Sequence, residues 1–298
     1  MSATESSDDA LIVTPQLLRG WGLPQPGSSS NKGERGSIVV VGGSPTTPGA
    51  ALLAGVAALR AGAGKLAIVT AESVAAPLAV AVPEALVAGV PSTPEGGLEP
   101  VTPDEIAGRA QRAQAVLIGP GLTDPESTAG LVAELVPRLP QDAVLVLDAL
   151  ALTCGAVTAD LLRSREGRVV LTPNDDEMER LLGHRPGHDL PYGDLCRLAA
   201  RELGAVVALR GAVASPDGRA WYGQSGHAGL GTSGSGDVLA GLVTGLAARG
   251  APVEQAAVWG VHLHGEAGER LAARVGRLGF LARELLDEVP GVLTQLEA

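Results

Sequence analysis

Residues 37–69 read SIVVVGGSPTTPGAALLAGVAALRAGAGKLAIV, and this stretch decides the fold. Residues 37–41 (SIVVV) are a short run that is apolar almost throughout, the pattern of a strand covered on both faces. Gly42, Gly43 and Ser44 break the run. Residues 48–61 (PGAALLAGVAALRA) carry a helical pattern that opens on a proline, which a helix accepts in its first turn, and residues 62–64 (GAG) stop it. Residues 65–69 (KLAIV) are a second run of the first kind. Strand, helix and strand joined in this way give parallel neighbours, because the crossover returns the chain to the same end of the sheet.

Outward from this unit the alternation continues. Residues 115–118, 143–147, 168–171 and 205–209 are predicted strands, and residues 194–203 a helix before the last of them. Asp124 and Pro125 supply an N-cap and a first-turn proline for a helix to about residue 138. Ser215-Pro216-Asp217-Gly218, between AVA and RAWY, predicts a hairpin and one antiparallel sheet edge; Trp221 and Tyr222 fit packing on that edge. Helices dominate residues 238–288, and the stretch after Arg274 has the pattern of an amphipathic terminal helix. The expected fold is α/β, a three-layer α/β/α sandwich with a mostly parallel central sheet. No composition break marks a linker, so the expected organisation is a flexible N-terminal tail over residues 1–20 and a single domain over 21–298, with a loose stretch at 25–35.

The chain has 298 residues, 45% apolar and 18% charged, a composition that builds a core. Its 22 basic and 33 acidic side chains give a formal charge of −11, which repels polyphosphate backbones and anionic lipid, so neither nucleic acid nor membrane is an expected partner. A small anionic ligand remains compatible, because backbone N–H groups hold phosphate without net positive charge. Cys154 and Cys196 lie in no CxxC or Cys/His cluster and are expected to be free thiols. The first ten residues lack both a basic region and an apolar core, and no apolar run approaches the ~20 residues that cross a bilayer. A cytoplasmic location is the expectation.

Three glycine-rich turns fall where a strand hands over to a helix, the place where open α/β sheets bind ligands. They are Gly42-Gly43-Ser44, Gly119-Pro120-Gly121-Leu122, and Gly231-Thr232-Ser233-Gly234-Ser235-Gly236-Asp237. Glycine lets successive amides converge, and the helix that follows adds its positive end, so the third turn reads as an anion cradle. A tight turn without ligand is the alternative. Asp237 sits in the first turn of the next helix, where a carboxylate can cap; beside a phosphate cradle it can also take the proton of an acceptor hydroxyl. None of the turns is a GxxxxGK[ST] or GxGxxG loop. His262 and His264, two apart on a helix, point in different directions and read as ordinary helix residues rather than a metal pair. Asp175, Asp176, Glu177 and Glu179 read as first-turn carboxylates complementing a helix dipole, with contact to magnesium through water as the alternative, and Asp148, at a strand end that faces the ligand crevice, as a candidate ligand or metal contact.

These motifs resemble the ADP- or ATP-dependent NAD(P)H-hydrate dehydratases of the ribokinase-like superfamily. The resemblance runs from about residue 35 to 268. It rests on VVVGGS with PGAALLAGVAALRAGAGK (residues 39–65), VPEA (82–85), LIGPGL (117–122), LDALAL (147–152), LTPN (171–174), LRGA (209–212), GTSGSGDVLAGLVTGLAARG (231–250) and AAVWGVHLHGEAGERLA (256–272). It implies an enzyme that uses ADP to dehydrate the S epimer of NADH or NADPH hydrate, releasing AMP, phosphate and the restored cofactor. Asp237 would be the catalytic residue. Ala50, Gly121, Asn174 and Asp237 would line the hydrated-cofactor pocket. Arg210, Gly211, Ala212, Val213, Ala214, Gly234, Ser235 and Gly236 would bind the adenine nucleotide. Mg²⁺ would bridge nucleotide phosphates with no dedicated protein ligands. Relatives are commonly homo-oligomers, and a separate epimerase would have to interconvert the substrate epimers.

Two positions depart from the pattern. The family commonly reads TPHPGE where this chain has Thr172-Pro173-Asn174-Asp175-Asp176-Glu177, and Asn174 carries no proton near neutral pH. It commonly reads LKG where Leu209-Arg210-Gly211 stands, so a planar guanidinium replaces an ammonium. A small-molecule kinase of the same superfamily, or a nucleotide-binding protein with reduced turnover, are the rival readings.

Overall fold

The apolar runs form strands because each of them must be buried on two sides. In the computed structural model, which describes residues 10–25, 32–99, 103–183 and 190–297, the elements follow in chain order. They are β1 (Leu11–Val13), α1 (Pro15–Gly20), β2 (Ser37–Val41), α2 (Pro48–Arg60), β3 (Lys65–Ala71), α3 (Glu72–Ala81), β4 (Ala85–Val90), α4 (Pro103–Ala110), β5 (Ala115–Ile118) and α5 (Pro125–Leu135). After these come β6 (Val144–Leu147), α6 (Leu150–Thr153), α7 (Ala159–Arg163), β7 (Val169–Leu171), α8 (Asp175–Leu182), α9 (Tyr192–Leu203), β8 (Val206–Leu209), β9 (Ala212–Ala214), β10 (Ala220–Gly223), α10 (Ser235–Ala248), α11 (Val253–Arg274) and α12 (Ala282–Glu297).

The strands join one sheet in the order β1-β10-β9-β8-β7-β6-β5-β2-β3-β4. From β4 across to β8 every pairing is parallel. Along β2, Ile38 and Val40 enter one apolar cluster and Val39 and Val41 the other. This period of two proves that both sheet faces are covered. α2, α10, α11 and α12 pack on one side, α5 to α9 on the other. The expected three-layer α/β/α sandwich is present.

The antiparallel element sits elsewhere than at the edge. β9 runs against both β8 and β10, and the hairpin closes at Ser215, whose N–H donates to Arg219 O at 3.0 Å. β1 then adds parallel to β10 on the outside. Residues 11–20 are therefore part of the fold, which corrects the tail expected through residue 20. Val13 is buried on the sheet, Thr14 Oγ1 accepts from Leu17 N at 3.1 Å to cap α1, and Leu18 is fully buried. Trp21 stacks on Trp221 at 5.8 Å, and its carbonyl accepts from Trp259 Nε1 at 3.0 Å. Residues 1–9, and 26–31 of the stretch expected to be loose, lie outside the described residues. Cys154 and Cys196 are free thiols.

One contact fixes the helix that matters most for the site. A Cβ at Gly241 or Gly245 of α10 would lie 2.2 Å from Ala54 O or 2.3 Å from Ala58 O of α2. Only glycine allows the two backbones to meet, so α10 has a fixed depth against α2 and its first turn a fixed place.

Candidate functional site

Parallel strands deliver their carboxyl ends to one rim. β6 ends on Leu147 and presents Asp148, β7 presents Thr172, Pro173 and Asn174, and β8 leads into Arg210 and Gly211. β10 hands over to residues 224–228, and α10 begins at Ser235. Around these ends opens a cavity of about 820 Å³. Asn174, Arg210, Gly211, Gly234, Ser235, Gly236 and Asp237, all singled out in the sequence, line it together with Asp148, Glu177, Tyr192, His227 and His264.

The start of α10 forms one wall of the cavity. Gly234 is the N-cap with φ +87°, a left-handed turn that glycine adopts readily, and the residues it leads into line the cavity. The N–H groups of Gly236 and Asp237 lie in the first helical turn, where no preceding carbonyl can reach them. Asp237 is no cap: α10 has no side-chain capping bond, and the carboxylate accepts no hydrogen bond among the described residues. Burial, then the neighbouring Glu177 charge, push its pKa up to about 6. Ser235 is buried, and its hydroxyl meets His264 Nε2 at 2.8 Å. Desolvation lowers His264 to about 4, so the imidazole is neutral at pH 7 and takes the hydroxyl as donor or acceptor according to its tautomer.

Two further carboxylates face the same space. Asp148 is 4% exposed, and its Oδ1 accepts from Thr172 Oγ1 at 2.8 Å. Desolvation first and the Asp237 charge second raise it to about 7. Glu177 is raised mainly by burial. It also closes a capping box: Asn174 Oδ1 accepts from Glu177 N, and Glu177 Oε2 from Asn174 N, each at 2.9 Å. The dipole reading of Glu177 is thus right for its backbone partner and incomplete for its carboxylate. Among the described residues no group of three or more His, Cys, Asp or Glu side chains is arranged to hold a metal ion.

Other sequence candidates stand apart from this cavity. Ala50 and Gly121 touch each other instead, since a Cβ on Gly121 would lie 3.0 Å from that of Ala50, at the β2/β5 switch point. Ala212, Val213 and Ala214 are buried within β9. The first two glycine turns spend their amides on each other and on neighbouring strands: Gly43 N donates to Pro120 O, Ser44 N to Gly121 O, Gly42 N to Val69 O and Gly119 N to Val41 O, at 2.8 to 3.1 Å. His264 and Glu177 were the residues sequence reasoning undervalued. His264 had one signal, a histidine within the largely buried helix α11; its partner, Ser235, was picked out as part of the glycine-rich turn rather than for its hydroxyl.

Sheet, crossovers and glycine-capped helix start define a ribokinase-like α/β/α protein. A ribokinase-like superfamily protein from Enterococcus faecalis superposes with a TM-score of 0.82 over 100% of both chains, at 21% identity. The chain belongs to the NAD(P)H-hydrate dehydratase family, whose model matches residues 38–291. It is 46% identical to the ADP-dependent (S)-NAD(P)H-hydrate dehydratase of Xanthomonas campestris pv. campestris over 95% of this chain and 96% of that one. It is 39% identical to the Bifunctional NAD(P)H-hydrate repair enzyme Nnr of Moorella thermoacetica, spanning 52% of that protein's length. The structure of the ADP/ATP-dependent NAD(P)H-hydrate dehydratase from Bacillus subtilis, co-crystallised with ATP/Mg²⁺, superposes with a TM-score of 0.80 at 30% identity, over 98% of this chain and 100% of that one.

Proposed function

We propose that this chain dehydrates the S epimer of NADH or NADPH hydrate at the expense of ADP, giving the reduced cofactor, AMP and phosphate. Water leaves poorly as hydroxide; a phosphorylated hydroxyl leaves as phosphate. Asp237, ionised above about pH 6 and free of other partners, takes the proton of the ring hydroxyl. The hydroxyl oxygen bonds to the β-phosphorus as the bond to AMP breaks, and the amides at Gly234, Gly236 and Asp237, with the Ser235 hydroxyl beside them, stabilise the charge on the transferring group. Phosphate then departs with the C–O electron pair while the adjacent ring carbon loses its proton, restoring the double bond.

The single observation that carries this reading is the unpartnered Asp237 carboxylate beside first-turn amides in one cavity. Asn174, Arg210 and Gly211 share the cavity and suit contacts to nucleotide and hydrate. Ala50 and Gly121 would act at the adjoining switch point, and Ala212 to Ala214 through the backbone of β9. Among the described residues no three His, Cys, Asp or Glu side chains are arranged to hold a metal ion, so Mg²⁺ would be held mainly by nucleotide oxygens and water, with the hard carboxylate oxygens of Asp148 and Glu177 in the same cavity. When bound, the ion would offset the charge of the nucleotide phosphates.

Residues 11–298 would act as one domain, in the cytoplasm, as a homo-oligomer; among the described residues no helix is long and apolar enough to cross a membrane. A separate epimerase would supply the S epimer. The test is to mix the protein with ADP, Mg²⁺ and hydrated NADH and follow the returning absorbance of the reduced nicotinamide. Restored absorbance with AMP and phosphate in equal amounts is the expected result. A phosphorylated organic product would establish a kinase instead, and ADP binding without turnover a sensor.

A further inference from the structure

The two places where this sequence leaves the family pattern meet in space. Arg210 Nε and Nη2 both donate to Oδ2 of Asp175, at 3.1 and 2.6 Å. The two side chains are 56% and 42% exposed, so the pair contributes at most about 1 kcal/mol to stability. Folding does not explain it. The backbone makes the puzzle sharper, since Arg210 has φ +50°, a left-handed conformation that costs a residue with a Cβ about 1 kcal/mol or more. A strained residue is therefore held at a surface position by a bond of little stabilising worth.

The placement supplies a reason. Arg210 lines the 820 Å³ cavity and Asp175 does not, so the carboxylate grips the guanidinium from outside the cavity. It engages two of the five N–H donors and leaves three for a ligand inside. It uses one oxygen only; Oδ1 is buried without a partner. A flexible arginine loses rotamer freedom when it binds an anion, and a side chain already pinned has less to lose. We propose that Asp175 is a positioning residue for the nucleotide: it pre-sets the Arg210 guanidinium toward the nucleotide phosphates, so that Asp175 and Arg210 act as one unit in place of a lone lysine.

This rests on the nucleotide-dependent reading of the cavity, but its test reads binding rather than turnover. Isothermal titration with ADP, at two salt concentrations, is run on the wild type, Asp175→Ala, Arg210→Ala and the double variant. Each single change is expected to weaken ADP binding roughly fivefold to tenfold, and the double variant to be no weaker than Arg210→Ala. Asp175→Glu should recover part of the loss, and Asp175→Asn little. In the turnover assay the effect of Asp175→Ala should fall on KM for ADP and spare kcat. Unfolding temperatures within about 2 °C of the wild type separate this from misfolding. Wild-type ADP affinity in Asp175→Ala, or strictly additive losses in the double variant, would overturn the proposal. Coupled binding losses in a protein without turnover would leave it standing and remove only the dehydratase reading.

Discussion

Two glycine-rich regions lie at the same rim of the sheet and do opposite things with their amides. At the β2/β5 switch point, Gly42, Gly43, Ser44 and Gly119 donate to carbonyls of neighbouring segments, and the turns are locked into one another. At the start of α10, Gly236 and Asp237 have no helical acceptor and border a cavity. Composition is alike in both. What separates them is how far the backbone donors have already been used: in the second region Ser235 N is taken by Thr232 O, but the adjacent first-turn donors of Gly236 and Asp237 are left for a phosphate.

The most drastic way to break the comparison is at its one free carboxylate. Asp237→Asn keeps the shape of the α10 start and its amides but removes the proton acceptor. Turnover is expected to fall by roughly a thousandfold, with ADP affinity by titration within a few fold of the wild type. Retained turnover would take Asp237 out of the chemistry. On the other side, Gly119→Ala places a Cβ 1.8 Å from Asp148 O at φ +134°. Backbone must move, so a loss of stability of about 3 kcal/mol or more is expected in chemical denaturation.

Gly236→Ala sharpens the contrast because it reverses the pattern. Nothing lies within 4 Å of the added Cβ and the residue is already helical, so stability should rise by roughly 0.5 kcal/mol. The methyl group stands where the phosphate must approach the amides, and ADP affinity should drop about tenfold. A variant with unchanged ADP affinity would show that the cradle lies elsewhere.

Much of this was legible from the chain alone, and the reason differs by element. β2 and β5 fall on the residues their apolar runs mark, and Asp124 caps α5 by accepting from Glu126 N and Ser127 N, as its place before Pro125 requires. β4 and α3 gave weaker signals, because β4 is an edge strand with two Ala and a Gly among its six residues and α3 contains Pro77. β1 was lost in a polar N-terminus, since three residues become a strand only through pairing with β10. Around the cavity, the GTSGSGD turn and Asp237 were readable as local chemistry. The Ser235–His264 and Asp175–Arg210 contacts join residues 29 and 35 positions apart, which local pattern does not report. Nor could the sequence tell that two of its three glycine turns consume most of their own donors.

Asp148 belongs to both regions and gives the subtlest test. Its N–H donates to Ile118 O at 3.1 Å and its carbonyl crowds Gly119, so its backbone is part of the locked switch point; its carboxylate lines the cavity. Burial, with the Asp237 charge, raises its pKa from 3.8 to about 7. A carboxyl raised in the folded state binds its proton more tightly there than when unfolded, so its ionisation weakens folding as pH climbs from about 4 to about 7, and the full penalty persists above that. Asp148→Asn removes the ionisation and can still accept from Thr172 Oγ1. The variant should match the wild type in unfolding temperature at pH 4, gain on it steadily to pH 7, and hold a lead of a few degrees at pH 8. A lead that is constant with pH would mean that the charge is already offset in the folded protein. In that case the open cavity would be a better home for anionic carboxylates than its burial implies, and the contrast between spent and free backbone donors would have to account for ligand binding without help from carboxylate crowding.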